Sequence, residues 1–292
     1  MESVKKIDNT LLEKYVGKYI CEEYAHFSHT CAQSRRIYED LLNQEDNDAS
    51  FEQRLESGYG QLRSKRILDI GSGVGGRAVA MARIGARVLG IEPLENGVRA
   101  SMARAGRYET IQADFLVARG EEVPFKDGSF DAVTAFYTLE HASDIEKVIS
   151  ESCRVLKEGG YFYCAIANNL FPYDDHYKIF WFPLLPKFLN RCYVRLAGKD
   201  PACLSHFRTD VTKMRVVNKL RKYGFKDIKN TNTEYICSKI NNPDTISIPS
   251  RRRIAMLLKV VGLAKIISYA ALTFGLSPTI QMCAKKGLRT NF

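Results

Sequence analysis

The sequence predicts an α/β protein built on a doubly wound parallel sheet. From Arg66 onward, short apolar segments alternate with helical segments of about 10–15 residues, which is the pattern of repeated βαβ units. A glycine-rich segment joins the first of these strands to the first helix. The chain has 292 residues, enough for one large domain.

The predicted elements follow one another as this fold class requires. Residues 10–58 are predicted to be helical, because apolar residues such as Leu12 and Val16 recur at helical spacing. The pattern then predicts strands at 67–70, 87–92, 110–113, 130–136 and 161–167, with helices at 75–84, 96–105 and 145–156. Further on it predicts a helix at 212–223 and strands near 226–233 and 279–285. Residues 168–208 and 240–276 do not fit the alternation and are interpreted as insertions.

Charge is distributed unevenly along the chain, whose formal net charge is +10. Residues 1–150 contain 19 basic and 24 acidic residues, whereas residues 151–292 contain 24 basic and 9 acidic residues. The basicity therefore belongs to the second half, and an anionic substrate, a membrane surface or nucleic acid are its candidate partners. With 45% hydrophobic and 26% charged residues, the composition excludes a disordered chain. The eight cysteines are scattered without a C-x-x-C pair, which predicts reduced thiols and a cytoplasmic location.

A glycine-rich loop spans Asp69–Gly76, directly after the first predicted strand. Glycines let the backbone turn sharply and let a ligand lie against bare main chain, and the amides of such a loop face the ligand. Gly71, Gly73 and Gly76 also fit the G-x-G-x-x-G pattern, a weak signal when it stands alone. Glu92 ends the second strand, where a carboxylate can accept hydrogen bonds from two ribose hydroxyls. The combination favours a nucleotide-like ligand over a plain glycine turn with a surface acid.

Several segments together resemble the class I methyltransferases that depend on S-adenosylmethionine (SAM). They are Leu68–Gly76, Gly90–Pro93, Gln112–Phe115, Val123–Asp131, Thr138–His141 and Arg154–Gly160. The resemblance covers residues 62–167 well, whereas a nicotinamide enzyme shares only the loop and the ribose acid. It implies a Rossmann-like seven-stranded methyltransferase sheet with helical insertions after strands five and six. It also implies SAM as cofactor, and an N-terminal helical lid (1–60) before a methyltransferase domain (61–292).

The family's cofactor-binding residues carry over onto matching positions. Asp69 resembles the acid beneath the glycine loop, near the methionine amino group of SAM. Gly71, Gly73 and Gly75 are the matching loop glycines, and Glu92 resembles the acid that binds the ribose.

The base and methionine sides of the implied pocket fall on three further residues. Asp114 resembles the residue that contacts the adenine amine, and Phe115 resembles its stacking or backbone neighbour. Phe136 ends strand four, where the family lines the pocket beside the methionine group. A cationic sulfonium needs no electropositive cradle, which agrees with the acidic first half.

Two histidines are the candidates for acid–base chemistry on the acceptor. Methyl transfer needs the nucleophile held in line with the methyl group, and an oxygen acceptor usually also needs a base. His141 follows strand four, and His176 lies in segment 168–208, which is predicted to cover the acceptor pocket. Each has a structural alternative, as a packing or pocket-lining residue. We predict no metal, because His26 and His29 lack a third ligand nearby.

The basic second half contains a cluster, Arg251–Arg253, that leads into the apolar segment Ile254–Leu276. Lysines interrupt that segment, so it is not predicted to span a membrane. A basic cluster beside an apolar helix suits an anionic membrane surface, and the alternative is packing against the sheet or a second subunit. Nucleic acid is disfavoured, because neither an RNA-binding module nor the tetrapeptide of base-amine methyltransferases is present.

The sequence thus predicts a SAM-dependent methyltransferase acting on a small-molecule, glycan or lipid-linked acceptor, at a hydroxyl oxygen. We expect it in the cytoplasm, peripheral at the membrane if the apolar helix contacts lipid. A catalytically inactive SAM-binding partner subunit is the alternative, and an RNA methyltransferase a weaker one. The intact loop, Glu92 and Asp114 argue against an inactive protein.

Overall fold

The computed structural model describes most of the chain. The described residues are 9–23, 31–45, 60–168, 171, 173–174, 179–180, 182, 185–199, 201, 211–231, 237–238, 240–245, 249–260, 262–263, 265–266 and 279–288. Their helices are α1 (Thr10–Glu23), α2 (Cys31–Leu42), α3 (Gly76–Arg83), α4 (Glu95–Ala105), α5 (Ile145–Val155), α6 (Lys187–Leu196), α7 (Lys213–Lys222) and α8 (Pro249–Val260). Their strands are β1 (Arg66–Ile70), β2 (Arg87–Glu92), β3 (Gln112–Val117), β4 (Phe130–Phe136), β5 (Leu156–Ala167), β6 (Tyr173–Asp174), β7 (Ile179–Phe180), β8 (Phe225–Asn230) and β9 (Thr279–Lys286).

Seven of the described strands form the predicted seven-stranded sheet, in the order β3-β2-β1-β4-β5-β9-β8, and β6 pairs with β7 in a separate two-stranded sheet. β1 to β5 pair in parallel, while β9 runs antiparallel to both of its neighbours. In the register, Asp69 of β1 lies opposite Gly90 of β2 and Thr134 of β4. The carboxyl ends of β1, β2 and β4 therefore meet at one edge, the place where open α/β sheets bind ligands.

Three element boundaries differ from the sequence prediction. β3 covers Gln112–Val117 rather than 110–113, because it pairs with β2 along the whole of that strand, up to Glu92 opposite Val117. β5 begins at Leu156 rather than 161, beside Phe130 at a register shift. Helix α8 begins at Pro249, so the arginine cluster lies inside the helix instead of before it.

Alternation along the strands divides the core into two layers. Leu68 and Ile70 of β1 face one layer, packed with α5 residues such as Ile149. Ile67 faces the other layer, packed with α3 residues such as Val79. This period of two directs Asp69 to the same side of the sheet as Ile67.

The N-terminal helices pack on the glycine loop and on α4. Leu12 and Val16 of α1 are buried against Val74 and Ala100. No helix among the residues described is long and apolar enough to cross a membrane.

A buried arginine of α4 binds both the end of α2 and the glycine loop. The Arg104 side chain is fully buried and donates from Nε to the Val74 carbonyl at 2.9 Å. Its two terminal nitrogens donate to the carbonyls of Leu42 at 3.0 Å and Leu41 at 2.5 Å. Its guanidinium also pairs with the buried carboxylate of Glu45. We call this group of contacts the Arg104 clamp.

Candidate functional site

The glycine loop between β1 and α3 needs its glycines for conformation and for space. Gly71, Gly73 and Gly75 have φ angles of 69°, 57° and 79°, which side chains rarely allow. A Cβ atom on Gly71 would lie 2.5 Å from Oγ1 of Thr138, and one on Gly75 would lie 2.7 Å from Cβ of Ser101. These glycines bring the loop into direct contact with the turn after β4 and with α4.

Glu92, at the end of β2, is buried and turned toward the loop. Its carboxylate accepts hydrogen bonds from the amides of Gly73 at 3.0 Å and Leu94 at 3.1 Å. A carboxylate has about four lone-pair positions, so two remain for a ligand's hydroxyl groups. Burial raises the pKa of Glu92 to about 7, although the two amides oppose the shift.

Asp69, in β1, is the second buried acid. Oγ1 of Thr134 donates to Oδ1 of Asp69 at 2.7 Å. Burial raises the pKa of Asp69 to about 6, against the opposing effects of Thr134 and Arg77. Two buried carboxyls whose charges are incompletely balanced fit a ligand that brings hydroxyls and positive charge, as SAM does with its ribose, amine and sulfonium.

The region predicted to bind the adenine base contains the aromatic ring of Phe115. Phe115 is buried, and its ring lies so close to Gly90 that a Cβ there would come within 2.5 Å of its Cδ1 atom. Asp114 is exposed and lies within β3, opposite Leu89, so the prediction that it follows the strand is wrong. The turn at 118–120 follows the strand instead. Phe115 and the two residues after it are apolar, which is a sign in the sequence that the strand continues. The sequence prediction ended the strand before them and therefore missed the turn.

Phe136 ends β4 and Tyr137 follows it, and both lie beside Arg77 of α3. Phe136 is buried with its ring centre 5.4 Å from that of Tyr163. The guanidinium of Arg77 lies 5.1 Å from the Phe136 ring and 5.3 Å from the Tyr137 ring. Tyr137 has a φ of 55°, a costly backbone conformation for an aromatic residue that occurs mostly at functional sites.

His141 lies in the turn after β4 and meets the N-terminal helix. Its amide donates to the Thr138 carbonyl at 3.1 Å, and its Nδ1 lies 3.9 Å from Oε1 of Glu23, the last residue of α1. Burial raises the pKa of Glu23 above its ordinary value. Sequence reasoning missed Glu23, because nothing in the helix pattern showed that α1 ends over this turn. His176, the other predicted base, lies outside the described residues.

The N-terminal helix also reaches the cofactor loop itself. Oη of Tyr19 would lie 3.5 Å from a Cβ at Gly73, and Cδ2 of the same ring would lie 3.1 Å from one at Gly97. Gln44, just after α2, accepts a hydrogen bond from the Gly76 amide at 3.1 Å. Helices α1 and α2 therefore cover the side of the loop that faces away from the sheet.

Comparison with known proteins agrees with this arrangement. Residues 68–164 match the family model described as a methyltransferase domain. The uncharacterized methyltransferase YcgJ of Bacillus subtilis is 29% identical over 168 residues, which are 57% of this chain and 60% of that protein. The ubiquinone/menaquinone biosynthesis C-methyltransferase UbiE of Rickettsia massiliae is 32% identical, over 42% of this chain and 53% of that protein.

A solved structure extends the comparison to the fold. A SAM-dependent methyltransferase from Thermotoga maritima superimposes with a TM-score of 0.51 at 18% identity, covering 94% of this chain and 99% of that one. This likeness confirms the predicted sheet architecture. The chain spans less than two thirds of the length of the two curated relatives. The residues that match the family model, 68–164, include the glycine loop.

Proposed function

Because the chain carries a class I SAM-dependent methyltransferase domain, we propose that it transfers a methyl group from SAM to a small-molecule, glycan or lipid-linked acceptor, at a hydroxyl oxygen. The observation that carries the proposal is the buried pair Asp69 and Glu92 at the carboxyl edge, beside the glycine loop. SAM supplies an electrophilic methyl group on a cationic sulfur. The residues around SAM bind it and orient its methyl group toward the acceptor.

We assign the binding roles residue by residue. Glu92 holds the ribose hydroxyls with the lone pairs that the Gly73 and Leu94 amides leave open. Asp69 faces the methionine amino group, and Phe136 lines the methionine side. The buried Phe115 ring borders the base.

The adenine amine has two candidate partners in this proposal. Asp114 is favoured by the family resemblance, although it is exposed within β3. The turn at 118–120 is favoured by its place after the strand. An Asp114→Ala variant with unchanged SAM affinity would assign the amine to the turn.

For the acceptor, we propose that His141 takes the hydroxyl proton as the oxygen–methyl bond forms and the sulfur–methyl bond breaks, its electron pair remaining on sulfur. The Glu23 carboxylate lies 3.9 Å from Nδ1 and stabilises the imidazole by its charge once the ring is protonated. His176 is the second candidate for the same role. A His141→Ala variant should bind SAM normally and lose about 100- to 10,000-fold in kcat, measured with the acceptor once known. Normal turnover in that variant, with loss in His176→Ala, would move the role to His176.

The acceptor class draws support from the relatives, and the acceptor atom from His141. UbiE is named for quinone biosynthesis and for C-methylation, which supports a small, largely apolar acceptor but a carbon target. The hydroxyl target depends on the His141–Glu23 arrangement. Incubation of the protein with methyl-labelled SAM and cell extracts, followed by mass spectrometry of the labelled product, tests both. A product methylated at carbon would replace the hydroxyl assignment.

The same experiment separates the alternative functions. A catalytically inactive SAM-binding partner subunit would bind SAM and label nothing in any extract. An RNA methyltransferase would label the nucleic-acid fraction, and nuclease treatment would release the label.

We also propose that the segment 251–276 contacts an anionic membrane from the cytoplasmic side. Arg252 and Arg253 of α8 are exposed, and so are Leu257 and Val260 on the same helix. Exposed apolar and basic side chains on one helix suit a lipid interface. The triple alanine variant of Arg251–Arg253 should lose binding to anionic vesicles. Identical behaviour of the variant and the parent would remove this contact.

The division of the chain at residue 60, with an N-terminal lid, is likewise a proposal. The packing of α1 and α2 on the glycine loop supports it. A lid should become more protected when SAM binds, so hydrogen exchange in 10–23 and 31–42 should slow at saturating SAM. Unchanged exchange there would make these helices a permanent part of the domain.

A further inference from the structure

The insertion that follows β5 has an unusual composition in its second part. Residues 176–199 contain five basic residues and no aspartate or glutamate, together with six aromatic residues apart from the histidine. Such a segment carries positive charge and apolar surface at once. This combination is typical of segments that lie in the interfacial region of a bilayer.

Helix α6 within this segment exposes a large part of its apolar surface. Asn190 and Val194 are buried on its inner side. On the opposite side, four and eight positions apart, Phe188 is 65% exposed and Leu196 is 88% exposed, with Cys192 exposed between them. A surface helix ordinarily presents polar groups outward, so this outward apolar stripe needs a partner.

The neighbouring hairpin of β6 and β7 continues the same surface. Phe180 is 72% exposed, and Phe182 is exposed as well. Both are tied to α6 through Tyr193, whose hydroxyl donates to the Phe180 carbonyl at 2.8 Å. The rings of Phe182 and Tyr193 meet edge to face with their centres 5.3 Å apart. We call the exposed side chains of Phe180, Phe182, Phe188 and Leu196 the aromatic face.

Basic side chains border this face. Arg191 and Arg195 of α6 are exposed, and Lys199 follows the helix with its side chain exposed. On the helix wheel the two arginines lie next to Phe188, on one flank of the apolar stripe. Apolar side chains in the middle and cations at the border match the acyl chains and the phosphates of a lipid surface.

We propose that the aromatic face docks onto an anionic lipid bilayer. A second copy of the chain is the weaker occupant, because an isologous contact would bring two acid-free, basic segments together. The face differs from the segment 251–276 and follows directly after β5, whose carboxyl end borders the cofactor edge. Resting on the proposed function, this placement makes the acceptor an amphiphile that is methylated while it lies in the bilayer.

Vesicle flotation of the full chain tests the proposal without SAM or acceptor. Two vesicle preparations are needed, phosphatidylcholine alone and phosphatidylcholine mixed with phosphatidylglycerol. We expect binding to the mixed vesicles, weaker binding as salt rises, and little binding to phosphatidylcholine. The Arg191→Gln/Arg195→Gln variant should lose about thirtyfold in partition coefficient, and Phe188→Ser/Leu196→Ser at least about tenfold.

Matched controls separate docking from general charge and stickiness. Arg221→Gln/Lys226→Gln removes two exposed cations elsewhere, and Met214→Ser removes an exposed apolar side chain of α7. Both controls should bind vesicles like the parent. Equal loss in controls and test variants, or no binding by the parent, overturns the proposal. A test variant that changes only the oligomeric state, by sedimentation velocity, assigns the face to a second copy and also overturns it.

Two checks keep this result separate from that of the proposed function. Thermal unfolding and SAM affinity, which should match the parent, verify that each variant folds. If a double variant does not fold, its two single substitutions replace it in the same assay. Methyl transfer to a detergent-dispersed acceptor depends on the site and not on docking. If the parent protein does not methylate a detergent-dispersed acceptor, that result counts against the proposed function alone.

Discussion

The two halves of this molecule use charge in opposite ways. In the first half, Asp69, Glu92 and Arg104 are buried, and each is held by hydrogen bonds to named atoms. In the second half, which has a formal charge of +15 from its 24 basic and 9 acidic residues, cations such as Arg191 and Arg195 are exposed. A buried charge defines the geometry of one contact, whereas exposed charges together define only the sign of a partner's surface. The following predictions compare matched residues from the two halves.

The largest difference in stability is expected between substitutions of two arginines. Arg104→Leu leaves the buried Glu45 carboxylate without its main partner and three carbonyls without their donor. It should lower the free energy of unfolding by about 3–5 kcal/mol. Arg221→Leu, at an exposed position of α7, should leave it unchanged. Chemical denaturation measures both, and equal values for the two variants would contradict the contrast.

Two glycines with similar backbone angles form the second pair. Gly75 and Gly224 have φ angles of 79° and 82°, but a Cβ meets Ser101 at 2.7 Å in the first and nothing within 4 Å in the second. Gly224→Ala should cost about 1–2 kcal/mol from the backbone alone. Gly75→Ala adds overpacking, for a loss of about 2–4 kcal/mol. A larger effect at Gly224 would show that the loop relaxes around the methyl group.

The third pair concerns binding. Glu92→Gln removes the buried negative charge from the cofactor site, and calorimetry should show SAM affinity falling about ten- to hundredfold. Glu158→Gln changes an exposed carboxylate beside Lys286 and should leave SAM affinity unaltered. Unchanged affinity in Glu92→Gln would remove this residue from the site.

The last contrast concerns the pH dependence of the site. The pKa values of Asp69 and Glu92 are raised to about 6 and about 7 from ordinary values of 3.8 and 4.5. Since the folded protein holds these protons more tightly than the unfolded chain does, they stabilise the free protein at low pH. That contribution is lost as pH rises from about 4 to 7.

Cofactor affinity should change in the opposite direction, because a cation prefers the ionised acids. SAM should bind about tenfold more tightly at pH 8 than at pH 6. Glu92→Gln should flatten that dependence. A steep pH dependence that survives in the variant would assign the titration to another group.

The strands around the site could be predicted from sequence, because each is a short apolar run next to a glycine or charged boundary. The places of Asp69, Glu92 and the loop glycines at the ends of β1 and β2 could be predicted too, because these residues lie within a few positions of such boundaries. β3 was misplaced because its end depends on pairing with β2, which alternation in one strand does not reveal.

The roles of Arg104 and Glu23 could not be predicted from the sequence, for a different reason. Arg104 looks like an ordinary basic residue in the last turn of α4, which commonly interacts with the helix dipole. Its partners are carbonyls at residues 41, 42 and 74, and a carbonyl has no sequence signature. Glu23 likewise gains its place beside His141 only through the packing of α1 on the loop.

The Arg104 clamp has a practical consequence for anyone who shortens this protein. Removing the residues before β1 to obtain a minimal catalytic fragment would take away Leu41, Leu42 and Glu45 together. The Arg104 guanidinium would then keep only the Val74 carbonyl, and Val74 and Ala100, which Leu12 and Val16 cover, would be exposed to water. Such a fragment should be insoluble or unable to bind SAM, even though every motif residue is present. The smallest workable fragment therefore begins before Thr10.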